Sequence, residues 1–375
     1  MRPVAVCVAF CVLLTACEQT PPSVVVHAGN AIPDRLGDWN VIFSNGDFLQ
    51  LNDDVVPFGL NTPLFTDYAL KLRTVWLPDG TTAAYNPDRE LDFPIGTIIS
   101  KTFHYEKADG WSDASFEVVK SDRESILDSN GQLSLADYVL IETRLLVHYE
   151  DGWKALPYVW NSTQDEAFLE LAGDYRDIEL VDADGSQAIS YVVPDANQCA
   201  GCHTPDHTSK EMLPLGPRGW QLNRPYAYSG GLEDQLEHWI AAGILSGVAE
   251  SPRAGVRWRD PGDATLGERA RAYLDANCAH CHNPAGAADT SALHLNIDAP
   301  VDRNYGICKT PVAVGRGSGD HAYDIYPGRP DESIIVYRMR HTDPAIAMPE
   351  LGRSAVHAEG VEVISNWIST MNGEC

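Results

Sequence analysis

Basic residues are the scarce class in this chain. Its 375 residues include 27 Lys and Arg against 53 Asp and Glu, for a formal net charge of −26. The acid is spread along the chain rather than gathered in a tail. Such a surface repels nucleic acid, so no nucleic-acid partner is expected, and it favours solubility and the steering of a basic protein partner. Long apolar runs are missing after residues 1–20, so no membrane-spanning helix is expected beyond them. No Gly-rich phosphate loop, nucleophile elbow or low-complexity tract occurs, which leaves nucleotide hydrolysis and serine-hydrolase chemistry without a motif. Methionine is rare too, at five in the whole chain.

The N-terminus decides what a cysteine can mean. "MRPVAVCVAFCVLLTACEQT" has one Arg, an apolar run and then small residues ending at Cys17. That is the layout of an export signal. "LLTAC" resembles the lipobox of bacterial lipoproteins, so residues 1–16 are expected to be a lipoprotein signal peptide and Cys17 the lipidated first residue. An ordinary secretory signal cleaved nearby is the alternative. A lipid anchor holds a body at a membrane surface without spanning it. The expected location is the periplasmic side of the envelope, anchored to the inner or outer membrane, with residues 17–36 as a tether.

From 37 to 195 the chain reads mostly as strands. "GTIISKTFHY", "YVLIETRLLVHY", "KALPYVWNS", "RDIELVD" and "AISYVVP" are rich in β-branched and aromatic residues, with turn formers between them. Asp151-Gly152 in "HYEDGWKALPYVW" suits a tight hairpin turn. "VDADGSQ" lacks a carboxylate at Tyr191, where a calcium loop would need one, and reads as a turn. After Pro194 the pattern changes. "GLEDQLEHWIAAGILSG" has apolar residues at helical spacing, and "DATLGERARAYLDANCAHCH", "RPDESIIVYRM" and "SAVHAEGVEVISNWISTM" read as further helices. The expected fold class is α+β multidomain. An antiparallel, sandwich-like β domain over 37–195 is followed by mainly α-helical cytochrome c-type haem domains, a first haem segment over 196–250 and a second over 251–375.

Two stretches repeat one motif. "PDANQCAGCHTP" carries Cys199, Cys202 and His203, and "AYLDANCAHCHNP" carries Cys278, Cys281 and His282. On a helical turn, residues three apart are neighbours, so a CxxC pair offers two thiols on one side for the two vinyl groups of a haem. The histidine that follows reaches the iron as proximal ligand. A redox disulfide usually belongs to a thioredoxin-like βαβ pattern, absent here. A four-cysteine zinc ribbon spaces its pairs by roughly 15–20 residues, much closer than Cys202 and Cys278. Two covalently attached haem c groups are the expected cofactors.

A methionine sixth ligand raises the potential and closes the iron. Removal of Met1 with the signal leaves Met212, Met339, Met348 and Met371. Met348, in "DPAIAMPELG", follows the second motif and precedes the last helix. The order helix, CxxCH, loop, Met-Pro and helix resembles class I cytochromes c, and makes Met348 the expected ligand there. Met339 fits an apolar helix position. At the first haem Met212 is the candidate, with His207, His238 and an open iron as rivals. Arg218, Arg224 and Arg316 are candidate partners for haem propionates, or ordinary surface charge. Cys7 and Cys11 leave with the signal, so Cys308 and Cys375 remain, and an exported setting favours a disulfide between them.

"PLFTDYALKLR", "FPIGTIISKTF", "ETRLL", "YVWN", "QCAGCH", "LPLGPRGWQLNR", "YPGRPDESIIVYRMR" and "AMPELG" run from Pro63 to Gly352. Together they resemble an uncharacterised family of bacterial dihaem c-type cytochrome lipoproteins. The resemblance implies two covalent haems, on Cys199, Cys202, His203, Cys278, Cys281, His282 and Met348, and an electron-transfer role with redox partner proteins. The expected function is single-electron transfer between a periplasmic donor, for example a dehydrogenase, and a respiratory or soluble acceptor. A dihaem peroxidase-like enzyme with one open haem is the alternative, although the motifs lie only 79 positions apart (278 minus 199). A third possibility has the β domain bind a ligand while the haems sense redox state.

Overall fold

The computed structural model describes residues 22–125, 127–312 and 314–375. The expected signal peptide, Cys17 and the start of the expected tether lie outside the described residues. The centre of the molecule is a six-stranded antiparallel sheet. Its strands run in the order Ala167–Leu169, Gly152–Trp160, Tyr138–Tyr149, Ile98–Glu106, Leu70–Trp76 and Val56–Phe58. Alternation along these strands makes two apolar faces, as a period of two requires. On one face Leu72, Ile98, Leu140, Leu145, Val147 and Leu156 bury against Ile42, Leu49 and Leu133 of a small three-stranded sheet. On the other, Phe103, Tyr105, Val139 and Ile141 meet Ile178, Leu180, Ile189 and Tyr191 of the hairpin Asp174–Asp182/Gly185–Val193.

Both tight turns come from the predicted sequences. Tyr149 pairs with Gly152 and Asp182 with Gly185. The positive φ falls on Gly152 (109°) and Gly185 (139°), where no Cβ resists it. "VDADGSQ" is therefore a hairpin, with Ala183 and Asp184 at its tip.

The expectation of mainly helical haem domains is overturned. Among the described residues the fold is mostly β-sheet in several sheets, with 27% strand against 18% helix in six helices. They are α1 (Ala196–His203), α2 (Gly219–Leu222), α3 (Gln235–Ala241), α4 (Leu266–Asn277), α5 (Ile334–Met339) and α6 (Ala358–Ser369). Gly and Pro punctuation keeps them short, because neither continues a helix cheaply. In "GLEDQLEHWIAAGILSG" only α3 is helical. Gly231–Asp234 pairs with Pro225–Tyr228 as a strand, and Leu245–Ser246 pairs with Ala83–Ala84 from the front half.

The back half also shares apolar cores with the sheet. Val75, Leu146 and Trp153 pack with Leu222, Leu236 and Trp239. The two longest helices, α4 and α6, pack together with Tyr273, Leu274, Ile364 and Ile368 in one cluster. Cys308 and Cys375 are joined by a disulfide, with 5.3 Å between Cα atoms.

Candidate functional site

Both CxxCH motifs sit where a capped helix delivers them. Asp195 accepts a hydrogen bond from Gln198 N (2.8 Å) while Gln198 Oε1 accepts from Asp195 N (3.0 Å), closing a capping box that starts α1. Cys199, Cys202 and His203 follow within the helix. Thr265 and Glu268 form the same box at the start of α4, which runs to Asn277. Its last turn is extended by Cys281 N and His282 N, both donating to Cys278 O (3.1 and 2.9 Å).

The two motifs touch. Cys281 Sγ is 4.0 Å from Gly201 O. Just beyond the first motif, His207 donates through Nδ1 to Ala285 O (2.9 Å) and Gly286 O (3.0 Å), just beyond the second. A cavity of about 540 Å³ opens between these turns and the central sheet. Cofactor sites commonly occupy roughly 300–1,000 Å³. Cys199, Cys202, His203, Cys278, His280, Met339 and Met348 all line it. Cys281 and His282 lie outside that lining, and His282 is buried.

Each motif histidine is held in one tautomer. Leu213 O can only accept, so the 2.9 Å contact makes His203 Nδ1 the donor. Leu213 N donates back to His203 O (2.7 Å). Ser291 commits its hydroxyl proton to Ala288 O (2.6 Å), so its oxygen accepts from His282 Nδ1 (3.1 Å). In both rings Nε2 keeps its lone pair, the arrangement by which a second hydrogen bond orients a metal-binding imidazole. Burial pushes both imidazoles down to about 4, so they stay neutral at physiological pH.

The four motif thiols are free, while Cys308 and Cys375 are closed as a disulfide. Burial raises all four, to about 12 for Cys278 and about 11 for Cys281. A redox CxxC needs the opposite shift, toward thiolate. Nor do the four sulfurs form a preassembled zinc site. Among the described residues, only Asp122, His357 and Glu359 bring three such ligand atoms together.

The cavity floor holds the residues that sequence reasoning missed. Arg73 pairs in register with Lys101, and Lys101 with Arg144, on three adjacent strands. Three cations thus stand side by side on one face, and like charges directly opposite destabilise a sheet. Arg144 is answered by the fully buried Glu142, at 2.7 and 2.5 Å, which also accepts from Tyr191 Oη (2.6 Å). Arg73 and Lys101 have no hydrogen-bond or ion-pair partner among the described residues. Burial, with Arg144 and Arg73 beside it, pushes Lys101 down to about 7. Burial lowers Arg73 to about 10. Such a floor is incomplete without an anion. The sequence shows Arg73 in "ALKLR", Lys101 in "ISKTF" and Arg144 in "ETRLL", but not that three strands set them side by side.

The other candidates separate. Met348 lines the cavity, its loop pinned by Met348 N donating to Arg338 O (3.2 Å) and Arg353 Nη2 donating to Met348 O (2.9 Å). Met212 instead packs on the cluster of Trp239 and Leu236, outside the cavity lining. His238 stacks on Tyr228 at 3.6 Å and meets Glu233. His280, between the cysteines of the second motif, borders the cavity that His238 does not reach. Arg218 lines the cavity but already bridges Glu90 and Asp275. Arg224 pairs with Glu124, and the exposed Arg316 lies 3.8 Å from Asp343.

No family model, curated protein or solved structure matches this chain. Its own geometry therefore carries the functional reading. Among the described residues no helix is long and apolar enough to cross a membrane.

Proposed function

We propose that the chain is an exported, lipid-anchored dihaem c-type cytochrome. It passes single electrons between a periplasmic donor, such as a dehydrogenase, and a respiratory or soluble acceptor. The observation that carries this reading is the meeting of both CxxCH turns at one cavity whose floor holds two cations, Arg73 and Lys101, without anionic partners. Haem supplies the one-electron chemistry when bound, and the protein sets ligation, burial and charge.

Cys199 and Cys202 would hold the first group by thioethers, with His203 Nε2 toward its iron. Cys278, Cys281 and His282 would hold the second, with Met348 as its further ligand. Arg73 and Lys101 are placed to neutralise propionate carboxylates, a role that suits buried cations without partners. Cys17 would carry the lipid, and the Cys308–Cys375 disulfide accords with an oxidising compartment.

Intact mass of the mature chain, made with a c-type maturation system, tests the reading. Two haem additions that survive acid-acetone are expected, falling to one in Cys199→Ala and in Cys278→Ala. A chain without covalent haem would falsify it. The position of Met212 away from the cavity favours a second reading, a peroxidase-like enzyme with an open iron at the first motif. Peroxide-dependent spectral change and turnover with a reduced donor would select that reading over the carrier.

A further inference from the structure

The N-terminal end of α6 holds a cluster that the haem reading does not use. His357 is the N-cap residue of α6, and Glu359 lies in the first turn of the helix. Asp122 comes from the front half, after the strand Glu117–Val119. Nε2 of His357 lies 3.6 Å from Asp122 Oδ2 and 3.7 Å from Glu359 Oε2. All three atoms lie within 4.8 Å of one another. His357 is only 5% exposed, and its Nε2 has no hydrogen-bond partner. Both oxygens are beyond hydrogen-bond reach, so the buried nitrogen points between two carboxylates and bonds to neither.

From this geometry we infer a binding site for one divalent cation of the zinc class, liganded by Asp122, His357 and Glu359. A cation with bonds of about 2.0–2.2 Å holds neighbouring ligand atoms roughly 3.0–3.6 Å apart. The two spacings to Nε2, 3.6 and 3.7 Å, lie at and just above the upper end of that range. One imidazole with two carboxylates is a donor set that suits first-row divalent metals.

Each ligand is also held from behind. Tyr273 Oη is 3.0 Å from His357 Nδ1. Tyr68 Oη donates to Glu359 Oε2 at 2.8 Å. Arg259 pairs with Asp122 through Oδ1, leaving Oδ2 turned to the imidazole. The Phe65 ring stacks on His357 at 4.0 Å and fixes its plane. Outer partners of this kind orient metal ligands and tune affinity. Asp122 and His357 border a second cavity of about 280 Å³, and His357 also lines the larger one. A bound cation would tie α6 to the front half, joining Glu359 and His357 to Asp122.

Because His357 also borders the larger cavity, bound zinc is counted directly rather than through any haem signal. The full mature chain, with any free thiols alkylated, is dialysed against EDTA and then titrated with zinc, bound metal being counted by atomic absorption. One zinc per chain is expected, with a rise in the thermal midpoint. Asp122→Asn and Glu359→Gln should each weaken binding at least about tenfold and abolish the thermal shift. Glu359 is half exposed, so that variant should fold, and Glu362→Gln on the same helix should bind as the parent does. No stoichiometric zinc in the parent, or equal affinity in Asp122→Asn and Glu359→Gln, overturns the site.

Discussion

Gly360 of α6 lies directly against Tyr273 of α4: a Cβ on the glycine would stand 2.3 Å from Tyr273 Oη. The tyrosine cannot move aside, since its ring is 4% exposed and its hydroxyl is bonded to His357. Gly267 of α4 lies in turn against the Trp367 indole, at a looser 3.3 Å. The crossing of the two helices is thus set by glycine on each side.

Gly360→Ala separates packing from propensity. Alanine in an open helix position would stabilise by about 1 kcal/mol. Here overpacking should win and cost about 1–3 kcal/mol. Urea unfolding should show a lower midpoint with an unchanged slope. A gain in stability would mean that the helices cross more loosely than described.

The cation row makes an opposite claim. Lys101→Met removes a charge that has no partner and stands between Arg73 and Arg144. The ligand-free chain should gain about 1–3 kcal/mol, the usual cost of an uncompensated buried polar group. If haem binds as proposed, the loaded chain should gain less, because there a propionate would meet the ammonium. Thermal melts of both forms check this, and an equal gain in both would remove Lys101 from cofactor binding.

How much of this was legible beforehand follows from the range of each signal. CxxCH, the strand alternation and the Gly-containing hairpins are local, and each was readable in a dozen residues or fewer. The meeting of the two motifs was not, because it depends on how α1 and α4 pack around a sheet that ends before both. The cation row needs the register of three strands, and a one-residue slip would turn Lys101 to the other face. Apolar spacing near 231–247 suggested one helix because i, i+3 and i+4 matches survive when only seven residues are helical. The strand Gly231–Asp234 is fixed by its partner Pro225–Tyr228, which no periodicity announces. Met212 illustrates the same limit. Its place after CxxCH matched a ligand, while its side chain serves the apolar core beneath α3.

Asp67 gives a pH dependence with a definite sign. It is 2% exposed, and its Oδ1 accepts from Ser354 N and Ala355 N, both at 2.7 Å. Burial pushes its carboxyl up to about 6 despite these bonds. The folded state therefore holds the proton more tightly than the unfolded chain, whose carboxyl titrates near about 3.9. Stability from this group is present below that lower value and is lost as pH rises through about 6. Asp67→Asn keeps an oxygen for both N–H groups and suits the positive φ of 46°. The variant should match the parent near pH 4 and exceed it at pH 8, as read by chemical denaturation at both values. Equal stability at both would place the proton elsewhere.

Met348 decides between carrier and enzyme at the second motif. Its loop is pinned from two sides by Arg338 O and the Arg353 guanidinium, so the thioether faces the cavity on a rigid support. If its sulfur ligates the iron, the ferric protein should show the weak near-infrared sulfur-to-iron band. Met348→Ala should then abolish the band, lower the potential of that haem and admit carbon monoxide where the parent refuses it, because a methionine ligand raises the potential and fills the site. Arg353→Lys keeps the charge but loses the fork that holds the 348 carbonyl, and should weaken the band without removing the sulfur. The first motif should be indifferent to both substitutions. An unchanged spectrum and potential in Met348→Ala would leave the methionine as packing, and the open-iron reading would then apply to the second motif as well as the first.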